Sequence, residues 1–261
     1  MARLVKRPEL GEILAFCAED PVERVFLEDV ARRGLGRFAA VRDGERLRAV
    51  CHLGTNLVPS GNGTDVFAGL ASRTRPRMLV GDERAVTELW DAARGRLPAV
   101  LDDRPGQPVY VLDAPPAPGD SGLRPATLAD LELLVPACAT AFREEVGRDA
   151  YAGDPALFEW RTRTQIEEGR SWIWREDGRI LFKAEASAWT DKAVQLQQVW
   201  VDPALRRRGY ARRGVADLCR LLLERTPIVC LFVRPENAPA IALYDSIGMR
   251  RSGTYRSLIF G

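Results

Sequence analysis

The chain has 261 residues, 46% hydrophobic and 28% charged, which suits one large domain or two of about 130 residues each. Thirty-eight basic and 36 acidic residues leave a net charge of +2, so no overall field points to nucleic acid or to a membrane surface. A single histidine, His52, excludes multi-histidine metal sites and leaves proton transfer to carboxylates, tyrosine, backbone or water. The five cysteines form no C-x-x-C pair and read as free, buried thiols of a reducing, cytoplasmic setting. Pro8 and Glu9 interrupt any leader-like N-terminus, and no 18-residue apolar run offers a membrane span.

In chain order, two helical stretches, Leu10 to Ala18 and Val22 to Ala31, precede a strand–turn–strand unit from Phe38 to Val50 that turns at Asp43-Gly44. Met78 to Gly81 reads as a strand leading into a helix from Glu83 to Arg94. Residues 102–124 are rich in proline and glycine. They predict a stiff spacer that holds one short strand, Val109 to Leu112, the last of the first half. Thr127 N-caps a helix that carries Leu131, Leu134 and Val135 on its apolar face. Ser171 to Trp174 and Ile180 to Ala188 form a second hairpin, turning at Asp177-Gly178, and Val194 to Val201 is a third strand. A helix over Gly214 to Arg225, a strand over Ile228 to Val233, a short helix over Pro239 to Ile247 and a strand over Thr254 to Phe260 complete the second half. The two Asp-Gly hairpins in corresponding places suggest that the halves share one plan.

The most informative stretch runs from Gln197 to Ala211: an apolar strand, an Asp202-Pro203 stop, then Arg206-Arg207-Arg208-Gly209-Tyr210-Ala211 opening into a helix. A helix N-terminus presents unpaired N–H groups and about half a positive charge, which suits phosphate. Gly209 admits a close backbone approach, and five arginines (206, 207, 208, 212 and 213) add cationic charge. This pattern resembles the acyl-CoA motif of the GNAT superfamily of N-acyltransferases, Gln/Arg-x-x-Gly-x-Gly/Ala. The segment from Asn237 through Leu243-Tyr244 to Gly248-Met249 is similar to that family's next strand–helix unit, with Met249 in place of the usual Phe. The resemblance covers about residues 123–261. In the first half, Ser60 to Gly69 lacks the motif, so no second CoA site is expected.

The third strand breaks its alternation at Gln197-Gln198, and one extra residue there, a β-bulge, restores it. The resemblance implies that this strand splays from the next one, leaving the backbone of Val199, Trp200 and Val201 to pair with the pantetheine arm and to stabilise the oxyanion. It further implies cofactor contacts from Arg206, Arg207, Arg208, Gly209, Tyr210, Ala211 and Asn237, and a general-acid role for Tyr244. The base stays open. Many relatives carry a glutamate in the bulged strand, where this chain has glutamines. Glu185 on the adjacent strand and Glu145 or Glu144 after the first helix of the second half are the substitutes. A water chain is as good, and for a low-pKa amine no strong base is needed. Trp172 and Trp174 share a strand face and read as core.

These readings combine into an α/β protein with two GNAT-like domains in tandem, each a mixed, mostly antiparallel twisted sheet flanked by helices. Residues 1–113 are the degenerate copy, 114–123 the linker and 124–261 the acetyltransferase domain. The expected activity is direct acetyl transfer from acetyl-CoA, as co-substrate, to a primary amine of a small molecule or peptide. No metal, nucleic acid or membrane is expected, and the chain is read as a monomer or homodimer. The competing readings are a non-catalytic acyl-CoA sensor and, far behind, a nucleic-acid binder using the arginine run.

Overall fold

The computed structural model describes residues 3–147, 149, 151 and 154–261. The first half comprises β1 (Arg3–Val5), α1 (Leu10–Ala18), α2 (Val25–Arg32), β2 (Phe38–Asp43), β3 (Arg46–Leu53), β4 (Asn56–Gly61), a 3-10 turn over Thr64–Phe67, α3 (Ala68–Ala71), β5 (Met78–Asp82), α4 (Glu83–Ala93) and β6 (Val100–Leu112). The second comprises β7 (Leu123–Pro125), α5 (Leu131–Val146), α6 (Pro155–Glu167), β8 (Ser171–Glu176), β9 (Arg179–Trp189), β10 (Val194–Val201), α7 (Tyr210–Leu223), β11 (Val229–Phe232), α8 (Ala238–Ser246) and β12 (Arg250–Phe260).

Local chemistry sets these elements. Asp177 and Gly178 both take positive φ (47° and 73°), the mirror-image turn whose twist suits a hairpin, and they join β8 to β9. At the start of α5, the Thr127 N–H and hydroxyl both donate to the Asp130 carboxylate at 2.9 Å. That cap serves a 3-10 turn, Leu128–Asp130, which runs on into α5. The sequence pattern does not reveal β1, β4, β7, α3 or α6, and it shows only the last four residues of β6. The two three-residue strands are too short to show a period, and Pro105, Gly106 and Pro108 hide a strand that bends.

All the strands join one twelve-stranded sheet in the order β1-β2-β3-β4-β5-β12-β6-β11-β10-β9-β8-β7. Its centre is an exchange. The last strand of the first half, β6, pairs with β11 (Val109↔Phe232 to Leu112↔Val229), while the last strand of the second half, β12, pairs with β5. The two exchanged strands also pair with each other, antiparallel. Val109 to Leu112 is therefore a strand, as expected, but it lies between two strands of the second half.

Alternation along the strands feeds opposite faces. Trp172 and Trp174 pack with α7 and α8 in one core, and Ile173 packs with α5 in another. The two tryptophans are core residues, as read. Helix α2 of the first half reaches across to the second, seating Val25 against Val111, Ala188 and Cys230. Asp29 on α2 accepts a fork from Arg170 (2.7 and 2.8 Å), and both are buried.

Residues 113–122 form no helix or strand, but they are not a free spacer. Their backbone has no ladder partner, and α7 supplies one. Asp217 accepts from the N–H groups of Gly119 (2.6 Å) and Ser121 (2.8 Å), and Arg213 donates to the Gly119 carbonyl (2.8 Å). A Cβ at Gly119 would fall 2.1 Å from the Arg213 carbonyl oxygen, so only glycine allows this approach.

Candidate active site

The site begins where β10 and β11 part. They run parallel and pair only at Val194↔Val229 and Gln195↔Cys230. Beyond that point β10 follows β9 alone, with register shifts at Gln195/Leu196 and between Gln197 and Trp200. Gln198 sits at φ 52°, a left-handed backbone uncommon for a side-chain-bearing residue, at the apex of the bulge. The edge of β10 that faces β11 is thereby open over Val199, Trp200 and Val201. Part of it is already used: Arg206 Nε donates to the Val201 carbonyl at 3.2 Å.

The loop after β10 is shaped by its own side chains. Asp202 accepts from the Ala204 N–H at 3.0 Å and from Arg179 at 2.6 Å. Arg207 (φ 60°) and Gly209 (φ 84°) then take left-handed backbone, and α7 begins at Tyr210. Among the described residues nothing accepts from the N–H groups of Tyr210, Ala211 or Arg212; the first bond back runs from the Arg213 N–H to the Gly209 carbonyl. Apart from the adjoining residues, nothing lies within 4 Å of the place a Cβ on Gly209 would take, so the space over the loop is open. The result is a cradle of main-chain donors at the foot of the splayed strands.

The five arginines divide by role. Arg207, Arg208 and Arg212 are exposed beside the cradle. Arg206 bonds Glu144 (2.5 Å) as well as Val201. Arg213 turns away to the linker and stacks on Trp174, 4.7 Å from its ring centre. The expected fivefold cationic cluster is thus smaller, because two members serve neighbouring backbone. Asn237 caps α8, accepting from the Ala240 N–H at 3.2 Å, so its carboxamide oxygen is engaged.

Tyr244, on α8, is buried with its ring 5.6 Å from that of Tyr110. Burial and the nearby Glu145 charge hold the phenol well above its usual range, so it is protonated. Glu145, at the end of α5, accepts from the Gln198 side-chain amide and thus hangs over the bulge. The residue is exposed to solvent. The protein atoms around the carboxylate desolvate it and raise its pKa, against the opposing pull of Arg104, Lys183 and Arg234, and its remaining exposure to water keeps that rise modest.

The other carboxylate candidate is differently placed. Glu185 faces Gln197 across the β9–β10 ladder and is buried, where Lys183 Nζ donates to it. The same ammonium donates to Cys138 Sγ at 3.0 Å. Burial alone would lower the Lys183 pKa, but the Glu185 charge and Cys138 hold it raised, so it stays an ammonium. Burial pushes the Cys138 thiol up to about 12. The structure therefore seats Glu185 as the counter-ion of Lys183, below the cleft rather than open in it. Lys183 is not among the residues the sequence motifs single out; its one signal there is a lysine, one of three in the chain, inside an apolar strand.

The corresponding loop of the first half is closed. β4 and β5 pair only at Asn56↔Met78 and Leu57↔Leu79, so the splay is repeated. Here the Glu88 carboxylate fills the position an anion would take, accepting from the N–H groups of Gly63 (2.9 Å) and Thr64 (3.1 Å). Although partial burial opposes it, these donors and Arg84 hold Glu88 below the usual carboxylate range. His52 is buried between Phe26 and Phe38, with Nδ1 2.9 Å from the Asn56 carbonyl, and burial lowers its pKa. Among the described residues no group of three or more His, Cys, Asp or Glu is placed to hold a metal, and no helix is long and apolar enough to cross a membrane.

Residues 139–249, which hold the bulge, the cradle and Tyr244, match the acetyltransferase (GNAT) family model. This segment is a GNAT acetyltransferase domain. Upstream, residues 36–134 match a domain of unknown function, DUF4081. Over 62 residues the chain is 40% identical to the N-alpha-acetyltransferase RimI of Mycobacterium tuberculosis (strain ATCC 25618 / H37Rv). That match spans 24% of this chain and 38% of the relative's length. Among solved structures, the whole chain is similar to a tandem GNAT protein from the clavulanic acid biosynthesis pathway (TM-score 0.58, 12% identity, 100% of this chain and 99% of that one). It is also similar to a GCN5-related N-acetyltransferase from Sphaerobacter thermophilus (TM-score 0.61, 16% identity, 98% and 94%). A GNAT-family acetyltransferase from Colwellia psychrerythraea is a third (TM-score 0.59, 11% identity, 99% and 100%). At these identities the likeness is one of fold, and it extends over both halves.

Proposed function

We propose that the protein is an N-acetyltransferase that moves an acetyl group from acetyl-CoA to a primary amine by direct attack, using only the GNAT domain of its second half. The observation that carries this reading is the open cradle: unpaired N–H groups at Tyr210, Ala211 and Arg212, set at the foot of two strands that part. The residues present fit a diphosphate there, with Arg207, Arg208 and Arg212 beside it. Bound acetyl-CoA supplies the activated thioester.

The chain's own groups do the rest. The open edge of β10 at Val199 to Val201 aligns the donor's amides as an added strand and offers an N–H to the oxygen that gains charge. Tyr244 holds the proton for the departing thiolate, and a neutral phenol can deliver it without prior ionisation. Glu145, over the bulge, takes the proton of the attacking amine. Its raised pKa brings it nearer to the operating pH, which favours a base. Glu185, paired with Lys183, lies beneath the cleft and braces β9 against the bulged strand. Placing amine and thioester together accounts for most of the acceleration.

The name of the mycobacterial relative makes a peptide α-amine the first acceptor to try, with small amines beside it. The test is CoA release against both panels, alongside a direct measure of CoA binding. Turnover on at least one amine, lost in Glu145→Gln, supports the reading. Tight CoA binding with no turnover on any amine would instead mark an acyl-CoA sensor.

A further inference from the structure

We infer that Arg104, carried into the second half by the exchanged strand β6, is a positioning residue for the acetyltransferase reaction, so that the first half completes the active site of the second. The inference rests on Glu145 being the base.

The physical case starts at the end of α5. A helix leaves its last carbonyls unpaired and carries about half a negative charge there. Gly147, in left-handed backbone, closes part of this end with its N–H to the Arg143 carbonyl at 2.8 Å. The Glu145 carbonyl takes two guanidiniums: Arg104 Nη2 at 2.9 Å and Arg234, from the segment after β11. Arg104 is aimed by Asp102, which accepts from its Nε at 2.7 Å and also lies 4.0 Å from Arg234. The Arg104 side chain is only 9% exposed, whereas that of Arg234 is 36% exposed. Arg104 is therefore the better-ordered clamp. It fixes the backbone of the residue whose side chain must stand over Gln198.

Arg104 also acts through charge. The groups facing Glu145 are Arg104 from β6, Lys183 and Glu185 from β9, Gln198 from β10, Arg234 after β11 and Tyr244 on α8. Of these, Arg104 gives the strongest pull toward the ionised carboxylate. Removing it takes that favourable charge away from the carboxylate, and the Glu145 pKa rises. The base is then protonated up to a higher pH, so the acid limb of the rate profile moves upward.

The experiment is kcat/KM against pH for the full-length protein, its Arg104→Ala and Arg104→Lys variants, and Glu145→Gln. Arg104→Ala should lower kcat/KM by about 10- to 100-fold, move the acid limb to higher pH and leave the Kd for CoA within a factor of about two, since the cradle is elsewhere. Arg104→Lys keeps the charge and loses one of the two separate donors that reach Asp102 and the Glu145 carbonyl. It should keep the wild-type acid limb while remaining slower, and it serves as the readout if the alanine variant does not fold. An unmoved limb in Arg104→Ala, a limb displaced equally in both variants, or a matching loss of CoA affinity overturns the inference. If Glu145→Gln keeps wild-type rates, the base assignment itself fails, whatever the arginine variants do.

Discussion

Tyr244 is a buried, protonated phenol in the core against which Val199 of the open strand packs. Replacing it by phenylalanine removes the proton and keeps the ring that packs on Tyr110. Tyr244→Phe should therefore cut kcat by about 100-fold with CoA affinity unchanged by calorimetry; equal loss of both would make Tyr244 a binding residue. Lys183 makes a stability prediction. Lys183→Met leaves the Glu185 carboxylate buried and uncompensated, a loss of about 3 kcal/mol. The double variant Lys183→Met/Glu185→Leu should recover most of it in urea unfolding, because no charge is left stranded. Tyr244 was legible in the sequence because it stands in a motif. The division of labour between Glu145 and Glu185 was not. It is decided by Lys183, Cys138 and Gln198, which come from other elements and meet those carboxylates only in the folded sheet.

At the scale of elements, two helix starts show opposite chemistry. α7 opens on donors left free, and α5 opens behind a saturated carboxylate. Gly209 at φ 84° is the hinge of the first. Gly209→Val strains the backbone by about 1–2 kcal/mol and puts methyl groups into the open cradle. It should abolish measurable CoA binding while a cooperative thermal transition persists. Asp130 anchors the second, held far below the usual carboxylate range first by Arg124, against partial burial, with help from the Thr127 N–H and Arg175. A folded-state pKa below the unfolded one stabilises the protein above the unfolded value of about 4, and that contribution is lost as pH falls toward the depressed one. The melting temperature of the wild type should therefore drop below about pH 4, and Asp130→Asn should show a smaller drop from a lower starting point. The bulge was readable because two adjacent glutamines break a period of two. The length of β6 was not, since its prolines and glycine read as spacer, and the pairing that makes it a strand comes from β11 and β12, far along the chain, as in Arg104↔Ser257 and Tyr110↔Leu231.

For the whole molecule, the exchange of β6 and β12 makes each half depend on the other. The sequence shows two similar hairpins and a proline-rich joint, from which two self-sufficient units are the natural reading. It carries no local sign that the final strand of each half lies between its partner's strands. Pairing across the centre, the buried fork of Asp29 and Arg170, and α2 lying over β9 and β10 all tie the halves together. The first half, with its anion position filled by Glu88, then contributes structure and Arg104 rather than a second CoA site, and calorimetry should find one CoA per chain. Residues 124–261 expressed alone lose β6, which leaves β11 with an unpaired edge over Val229 to Phe232 and β12 with no partner strand. Bare apolar edges associate. This fragment should be aggregated and unable to bind CoA, whereas coexpression with residues 1–123 should restore a soluble one-to-one complex that binds CoA with the affinity of the intact chain. A monomeric, CoA-binding fragment 124–261 would show instead that the exchanged strand is dispensable.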